Sequence, residues 1–130
     1  MKYEKVVVDK KELEILKNLF SAIPNEKDKT YRLSFEKLMG EIKKAMVLDS
    51  AAMPLDVIRL NSFVTIRTHS GTEKKFQLVT PEKSDLSQHK LSVMAPMGLA
   101  LFGYAENDEV EWEFPSGLNT ILITRVEQPN

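Results

Sequence analysis

Apolar residues in the first third of the chain recur with a helical period, which predicts helix from about residue 9 to residue 48. Asp9 is suited to cap the first helix, and Glu12 follows it at the spacing of a capping box. Pro24 ends the first pattern, and a second helix is predicted to begin near Thr30. The apolar positions fall three or four residues apart, at Leu13, Leu16, Phe20 and Ile23, and again at Phe35, Leu38, Ile42 and Ala45. Two such seams joined by a short polar turn are typical of an antiparallel coiled-coil hairpin, although two amphipathic helices packed separately on a domain would show the same pattern.

The pattern changes beyond Met53 and Pro54, where proline disfavours helix and the apolar period shortens to two. Ser70 and Gly71 favour a hairpin turn between the first two strands. Strands are predicted at 64–66, 76–78, 91–93, 108–114 and 118–126. We therefore predict an α+β fold with two domains. Residues 1–52 would form the short antiparallel coiled-coil hairpin, and residues 53–130 a mainly antiparallel sheet with one short helix.

The short helix is predicted between Pro96, which is suited to the first helical position, and Gly103, which is suited to end it. Residues 99–102 supply its buried face. Met94, Pro96 and Met97 form an apolar cluster at its start. Because methionine adapts to irregular surfaces, this cluster is either an exposed interface or core packing under the helix.

Composition and charge exclude several classes of function. The chain has 130 residues and a net charge of −1, which argues against broad electrostatic binding to nucleic acid. It has no cysteine, which excludes disulfides and thiolate metal sites. The apolar run Val6–Val8 is too short for a signal peptide or a membrane span, and a cytoplasmic location is expected. His69 and His89 stand alone, and no nucleotide-binding loop or catalytic serine motif is present, so we expect no catalytic residue, no metal and no cofactor.

Two acidic features have alternative interpretations. Three glutamates at alternate positions from 109 to 113 lie on one face of a predicted strand, where they would form a solvated face or bind a hard cation. Asn25, Glu26 and Asp28 fall at the tip of the predicted hairpin. Acidic side chains there could help to hold Mg²⁺ in a partner's active site, but lysines alternate with them, which favours a polar turn.

The segment LSVMAPMGLALFGYAENDEVEWEFPSG, Leu91 to Gly117, resembles the C-terminal signature of Gre-type transcription elongation factors. The matching positions are Ser92, Pro96, Gly98, Ala100, Leu101, Gly103, Asp108, Val110, Pro115 and Gly117. Asn107 replaces the glycine usual in the family, and asparagine tolerates the left-handed conformation expected there. The preceding segment MPLDVIRLNSFVTIR, Met53 to Arg67, is similar to the Rnk-type subgroup, the regulators of nucleoside diphosphate kinase.

This resemblance implies an FKBP-like C-terminal domain and binding to RNA polymerase at the rim of its secondary channel. By family position, the polymerase-binding residues would be Ser92, Met94, Ala95, Pro96 and Met97, with Ser92 shaping the loop. The resemblance implies contact with nucleic acid only through the polymerase, and no contact with a membrane.

The length of the hairpin decides between two mechanisms. The Gre resemblance implies a long coiled coil with an acidic tip that stimulates transcript cleavage. Here each predicted helix has about 14–18 residues and spans ~21–27 Å, which is roughly half the length that the resemblance implies for a Gre hairpin. The tip sequence PNEKDK also lacks the Asp-x-x-Glu arrangement. We therefore predict competition with Gre factors without cleavage; the alternatives are a Gre-like cleavage factor, a peptidyl-prolyl isomerase suggested by the FKBP-like fold alone, or direct regulation of nucleotide metabolism.

Overall fold

A computed structural model describes residues 2–21, 29–114 and 117–129, with the backbone alone for 29–35 and 112–114. The helices and strands follow the order predicted, with two additional strands near the N-terminus. Their bounds are β1 Val7–Asp9, α1 Lys10–Ser21, α2 Lys29–Lys43, β2 Met46–Leu48, β3 Phe63–Thr68, β4 Glu73–Val79, β5 Lys90–Ser92, α3 Pro96–Leu101, β6 Glu109–Phe114 and β7 Gly117–Glu127. No helix of the described residues is long and apolar enough to cross a membrane.

The main sheet has five strands in the order β5-β4-β3-β7-β6. The antiparallel prediction is correct for β3–β4, β3–β7 and β6–β7, but wrong for β5, which runs parallel to β4. Residues 80–89 explain the difference. They form a loop with two short 3-10 turns that returns the chain to the level of Gln77, where Lys90 begins the new strand in the same direction. The sheet is therefore mixed.

The two additional strands pair with each other. β1 and β2 form a small parallel sheet, and Met46 N donates to Val6 O across 2.9 Å. The prediction of helix as far as residue 48 is therefore wrong, because the helix ends at Lys43. Runs of three apolar residues are too short to show a period, so only their pairing partner distinguishes strand from helix.

One hydrophobic core includes residues from both sides of the predicted boundary at 52/53. Leu13 and Leu16 of α1 and Leu38 of α2 are buried, as their helical spacing predicts. In the sheet, Val64, Ile66 and Leu78 are fully buried, which confirms the predicted faces of β3 and β4, and Ile121 and Ile123 of β7 are fully buried as well. The predicted hairpin turn is also present, since Gly71 has a positive φ of 88° and Gly71 N donates to Thr68 O. The division into domains stays a prediction.

The start of α1 is fixed by a buried carboxylate. Asp9 is 1% exposed, and its Oδ1 accepts a hydrogen bond from Lys11 N at 2.7 Å, which confirms the predicted cap. Its Oδ2 accepts from Ser50 Oγ at 2.6 Å and pairs with the Arg59 guanidinium. Burial alone would raise the pKa of Asp9, but these hydrogen bonds and the charge of Arg59 hold it below its ordinary value.

Glu12 does not complete the capping box that its spacing predicted. Its carboxylate instead accepts a hydrogen bond from Leu60 N at 3.2 Å and lies 3.3 Å from the Arg59 guanidinium. Burial raises the pKa of Glu12 above its ordinary value, and the contacts with Leu60 and Arg59 oppose that shift. Arg59 thus joins the start of α1 to the segment that leads into β3.

Candidate docking site

The residues predicted to bind a partner lie at the tight connection from the end of β5 to the first turn of α3. We call Ser92, Met94, Ala95, Pro96 and Met97 the docking loop. Ser92 Oγ accepts a hydrogen bond from Met94 N at 3.0 Å, and Ser92 O accepts one from Ala95 N at 3.0 Å. Ala95 O then accepts from Leu99 N at 2.9 Å, which begins α3. The Ser92 side chain and backbone therefore set the shape of the loop.

Pro96 and Gly98 bring α3 close to this loop. Pro96 occupies the first turn of α3, as predicted, where its missing N–H costs no hydrogen bond. A Cβ added at Gly98 would lie 2.9 Å from Val93 Cα and would overlap the Ser92 carbonyl oxygen. Glycine at this position is therefore what lets the helix pack directly against the loop.

The methionines of the docking loop fit both predicted interpretations, since they pack on the core and are also partly exposed. All five of its residues are half-buried. Met94 and Met97 pack against the hydrophobic core, yet part of each side chain remains accessible. The loop therefore presents adaptable apolar side chains on a backbone that hydrogen bonds hold in place.

The opposite end of α3 is buried and contacts α2. Gly103 follows the helix with a positive φ of 85°, as predicted, and packs against Val6. Tyr104 is 6% exposed, and Lys37 Nζ lies 3.2 Å from its hydroxyl and 4.9 Å from its ring centre. Burial, with the charges of Glu41 and Asp108, raises the pKa of Tyr104 to about 12. These contacts join α2 to the end of α3, the helix whose first turn belongs to the docking loop.

Beside the docking loop lies a groove that was not predicted from the sequence. We call it the β4–β5 groove; its volume is about 570 Å³, and it is lined by Phe76, Leu86, Leu91, Met97 and Lys74, among others. Met97 belongs to both features. The signal in the sequence is Leu86, an isolated large apolar residue within the polar segment Pro81–Lys90.

The other candidate residues do not come together as a site. His69 is exposed in the β3–β4 turn, as predicted, and His89 is exposed in a left-handed conformation. Glu109 and Glu111 are exposed on β6. No group of three or more potential metal ligands occurs among the described residues.

Several predicted residues lie outside the described residues. The tip residues Asn25, Glu26 and Asp28 belong to this set. The side chain of Glu113 belongs to it as well, so the third carboxylate of β6 stays a prediction.

Comparison with known families decides the relationship of the chain. The family model of the C-terminal part of the transcription elongation factors GreA/GreB matches residues 53–128. The chain belongs to the GreA/GreB family. The matched range includes the whole docking loop and the β4–β5 groove. Asn107, which departs from the family pattern, has a φ of 75°, so asparagine adopts the left-handed conformation expected there.

Individual relatives support the same assignment and confirm the predicted resemblance. The chain is 40% identical over 88 residues to the regulator of nucleoside diphosphate kinase of Escherichia coli K12, which covers 67% of this chain and 65% of the relative. It is 31% identical over 90 residues to transcription elongation factor GreA of Sphingopyxis alaskensis, covering 69% of this chain and 57% of that GreA. These matches thus span less than two thirds of the relatives' lengths.

A solved structure extends the likeness to nearly the full chain. The prokaryotic GreA/GreB transcription elongation factor from Nitrosomonas europaea superimposes with a TM-score of 0.74 at 31% identity. The superposition covers 95% of this chain and 98% of that one. This GreA/GreB-like structure, with helices and a mixed sheet, confirms the α+β class.

Proposed function

We propose that this protein is a transcription regulator that binds RNA polymerase through the docking loop. The single observation behind the proposal is the loop's geometry within the segment that matches the GreA/GreB family model. Ser92 and Gly98 fix its shape, while Met94 and Met97 remain partly accessible. A prearranged apolar surface of this kind loses little conformational entropy when it binds a partner. The proposal places the protein in the cytoplasm with the polymerase.

The proposal extends to the arrangement of the two parts. We propose that α1 and α2 form a short coiled-coil hairpin within residues 1–52, and that residues 53–130 form an FKBP-like domain that docks at the rim of the secondary channel. Within the described residues, α1 has 12 residues and α2 has 15. Helices of this length span only ~18–23 Å at 1.5 Å per residue. A hairpin this short supports occupation of the channel entrance, in competition with Gre factors, without transcript cleavage.

Nothing in the described residues favours a prolyl isomerase. Such a site needs a pocket lined by aromatic side chains. Among the described residues that line the β4–β5 groove, Phe76 is the single phenylalanine, tyrosine or tryptophan, and it is largely buried.

Variants of the docking loop test the site. Pro96→Asp and Met97→Asp place a charge on the apolar surface, and each should weaken capture of core RNA polymerase by about tenfold or more. Leu118→Asp is the matched control, because Leu118 is a 63% exposed apolar residue of the β6–β7 hairpin, at the other edge of the sheet. Circular dichroism melting checks that each variant folds. Wild-type capture by folded Pro96→Asp and Met97→Asp proteins would show that the site is misassigned.

Two functional assays test the mechanism. Stalled elongation complexes incubated with the protein should keep their transcripts intact, whereas a GreA control should shorten them from the 3′ end. Increasing amounts of the protein should then suppress the cleavage that GreA stimulates, because both would occupy one site. Rapid 3′ cleavage by the protein itself would instead identify it as a Gre-like cleavage factor.

A further inference from the structure

The β4–β5 groove has an exposed apolar residue at its edge. Leu86 is 77% exposed, and what distinguishes it from an ordinary exposed leucine is that it lies beside the apolar lining of this groove. The 3-10 turn that contains it is held by Asp85, whose Oδ1 accepts hydrogen bonds from Ser87 N at 3.1 Å and Ser87 Oγ at 2.6 Å. Asp85 and Lys90 also exchange backbone hydrogen bonds of 3.0 Å and 2.9 Å. The exposure of Leu86 is therefore a property of a well-hydrogen-bonded turn.

The floor of the groove is apolar and continues into the docking loop. Phe76 of β4, Leu91 of β5 and Met97 of α3 all line the groove. A neighbouring hollow of about 470 Å³ shares Phe76 and extends the depression toward Phe63. Together they would accommodate several side chains of one partner segment.

The groove is positively charged although the chain as a whole is slightly acidic. Lys74 and Lys75 line it, and its one acidic lining residue, Glu73, forms an ion pair of 3.5 Å with Arg67. Lys75 contacts Glu127 at 3.7 Å. None of the ion pairs within the described parts of the chain includes Lys74. Lys74 therefore leaves a positive charge beside an apolar floor.

We propose that the β4–β5 groove binds an acidic, apolar segment of the polymerase next to the surface that the docking loop contacts. Large apolar side chains of that segment would cover Leu86, Leu91 and Met97, and its carboxylates would lie near Lys74. This inference rests on the proposed function, since it names the chemistry of the same partner. It follows from the positive charge of Lys74 beside the apolar lining of the groove, which favours an acidic and apolar partner, and from the continuity of the groove with the docking loop through Met97.

Two groove variants and one control test the proposal by binding to core RNA polymerase. Leu86→Ser removes an exposed apolar contact without touching the core and should weaken binding about tenfold. Lys74→Glu should weaken it at low salt by about fivefold or more, and the deficit should shrink as salt rises, because added ions screen the interaction. Lys83→Glu makes the same change of charge at an exposed loop residue outside the groove, and should bind as the wild type does.

The outcomes separate this inference from the proposed function. If the wild-type protein does not bind polymerase, the proposed function fails and this inference fails with it. If the wild type binds and the groove variants bind equally well, only the groove assignment is wrong. Sedimentation adds a further check: a dimer that Lys74→Glu converts to monomer would assign the groove to a second copy of this chain, and would overturn the proposal.

Discussion

Gly98→Ala is a direct test of how the docking loop is built. The added Cβ would lie 2.9 Å from Val93 Cα and would overlap the backbone oxygen of Ser92. Neither neighbour is the flexible end of a side chain, so relief requires α3 to move away from β5. Overpacking of this kind costs about 1–3 kcal/mol. Alanine is favoured over glycine within a helix by at most ~1 kcal/mol, which offsets part of that cost.

Gly40→Ala provides the matched control within α2. A Cβ at Gly40 meets nothing within 4 Å, so the same substitution should gain the helix preference without a clash. We therefore expect Gly98→Ala to lower the free energy of unfolding by roughly 1–2 kcal/mol and Gly40→Ala to raise it by up to ~1 kcal/mol.

Urea denaturation followed by far-ultraviolet circular dichroism measures both variants. Equal slopes of unfolding free energy against urea would show that the variants differ in stability alone. A Gly98→Ala protein as stable as Gly40→Ala would refute the reasoning, because the contact between α3 and the docking loop would then have room for a methyl group.

Two other variants test the interior. Asp9→Asn removes the buried negative charge that pairs with the Arg59 guanidinium, and it should lower the free energy of unfolding in urea by about 3 kcal/mol. This is the low end of the range for a buried pair, because Glu12 remains a partner of Arg59. The control Arg67→Met, on the exposed face of the sheet, should lower it by less than ~1 kcal/mol. Equal costs would show that the network contributes no more than a surface ion pair. Because the pKa of Tyr104 is raised from 10.0 to about 12, the unfolded chain loses this proton first, and stability should fall as pH rises between those values. Tyr104→Phe should lessen that fall and remove a step near pH 12 from the phenolate absorbance titration. A variant that keeps the same absorbance step near pH 12 would contradict the assigned shift.

Local features of the docking site are predictable because they depend on neighbouring residues. Proline fits the first helical turn and glycine tolerates positive φ wherever they occur, so Pro96 and Gly103 mark the ends of α3 in the sequence itself. The alternation around Val64 and Ile66 likewise reflects the geometry of one strand. The resemblance to the family signature also predicts which residues make up the docking loop. The partner segment and the binding itself remain proposals.

The β4–β5 groove was not predictable in the same way. Its lining comes from β4, the loop at Leu86, β5 and α3, which become neighbours only when β5 pairs with β4 in parallel. The sequence predicts β5 as a strand but contains no local signal for its direction. An isolated leucine in a polar loop is also common on protein surfaces, so Leu86 gains meaning only from the apolar floor beside it.

The sequence by itself determined the class of the fold, the approximate positions of most helices and strands, and the family. Tertiary structure alone decided that Val7 pairs with Met46, that Arg59 joins Asp9 to Glu12, and that Lys74 stands beside an apolar groove. The physical reason is one of range. Periodicity, caps and turns arise from interactions over a few residues, whereas strand pairing, buried ion pairs and grooves depend on residues that are distant in the chain, whose approach is set by the packing of the whole core.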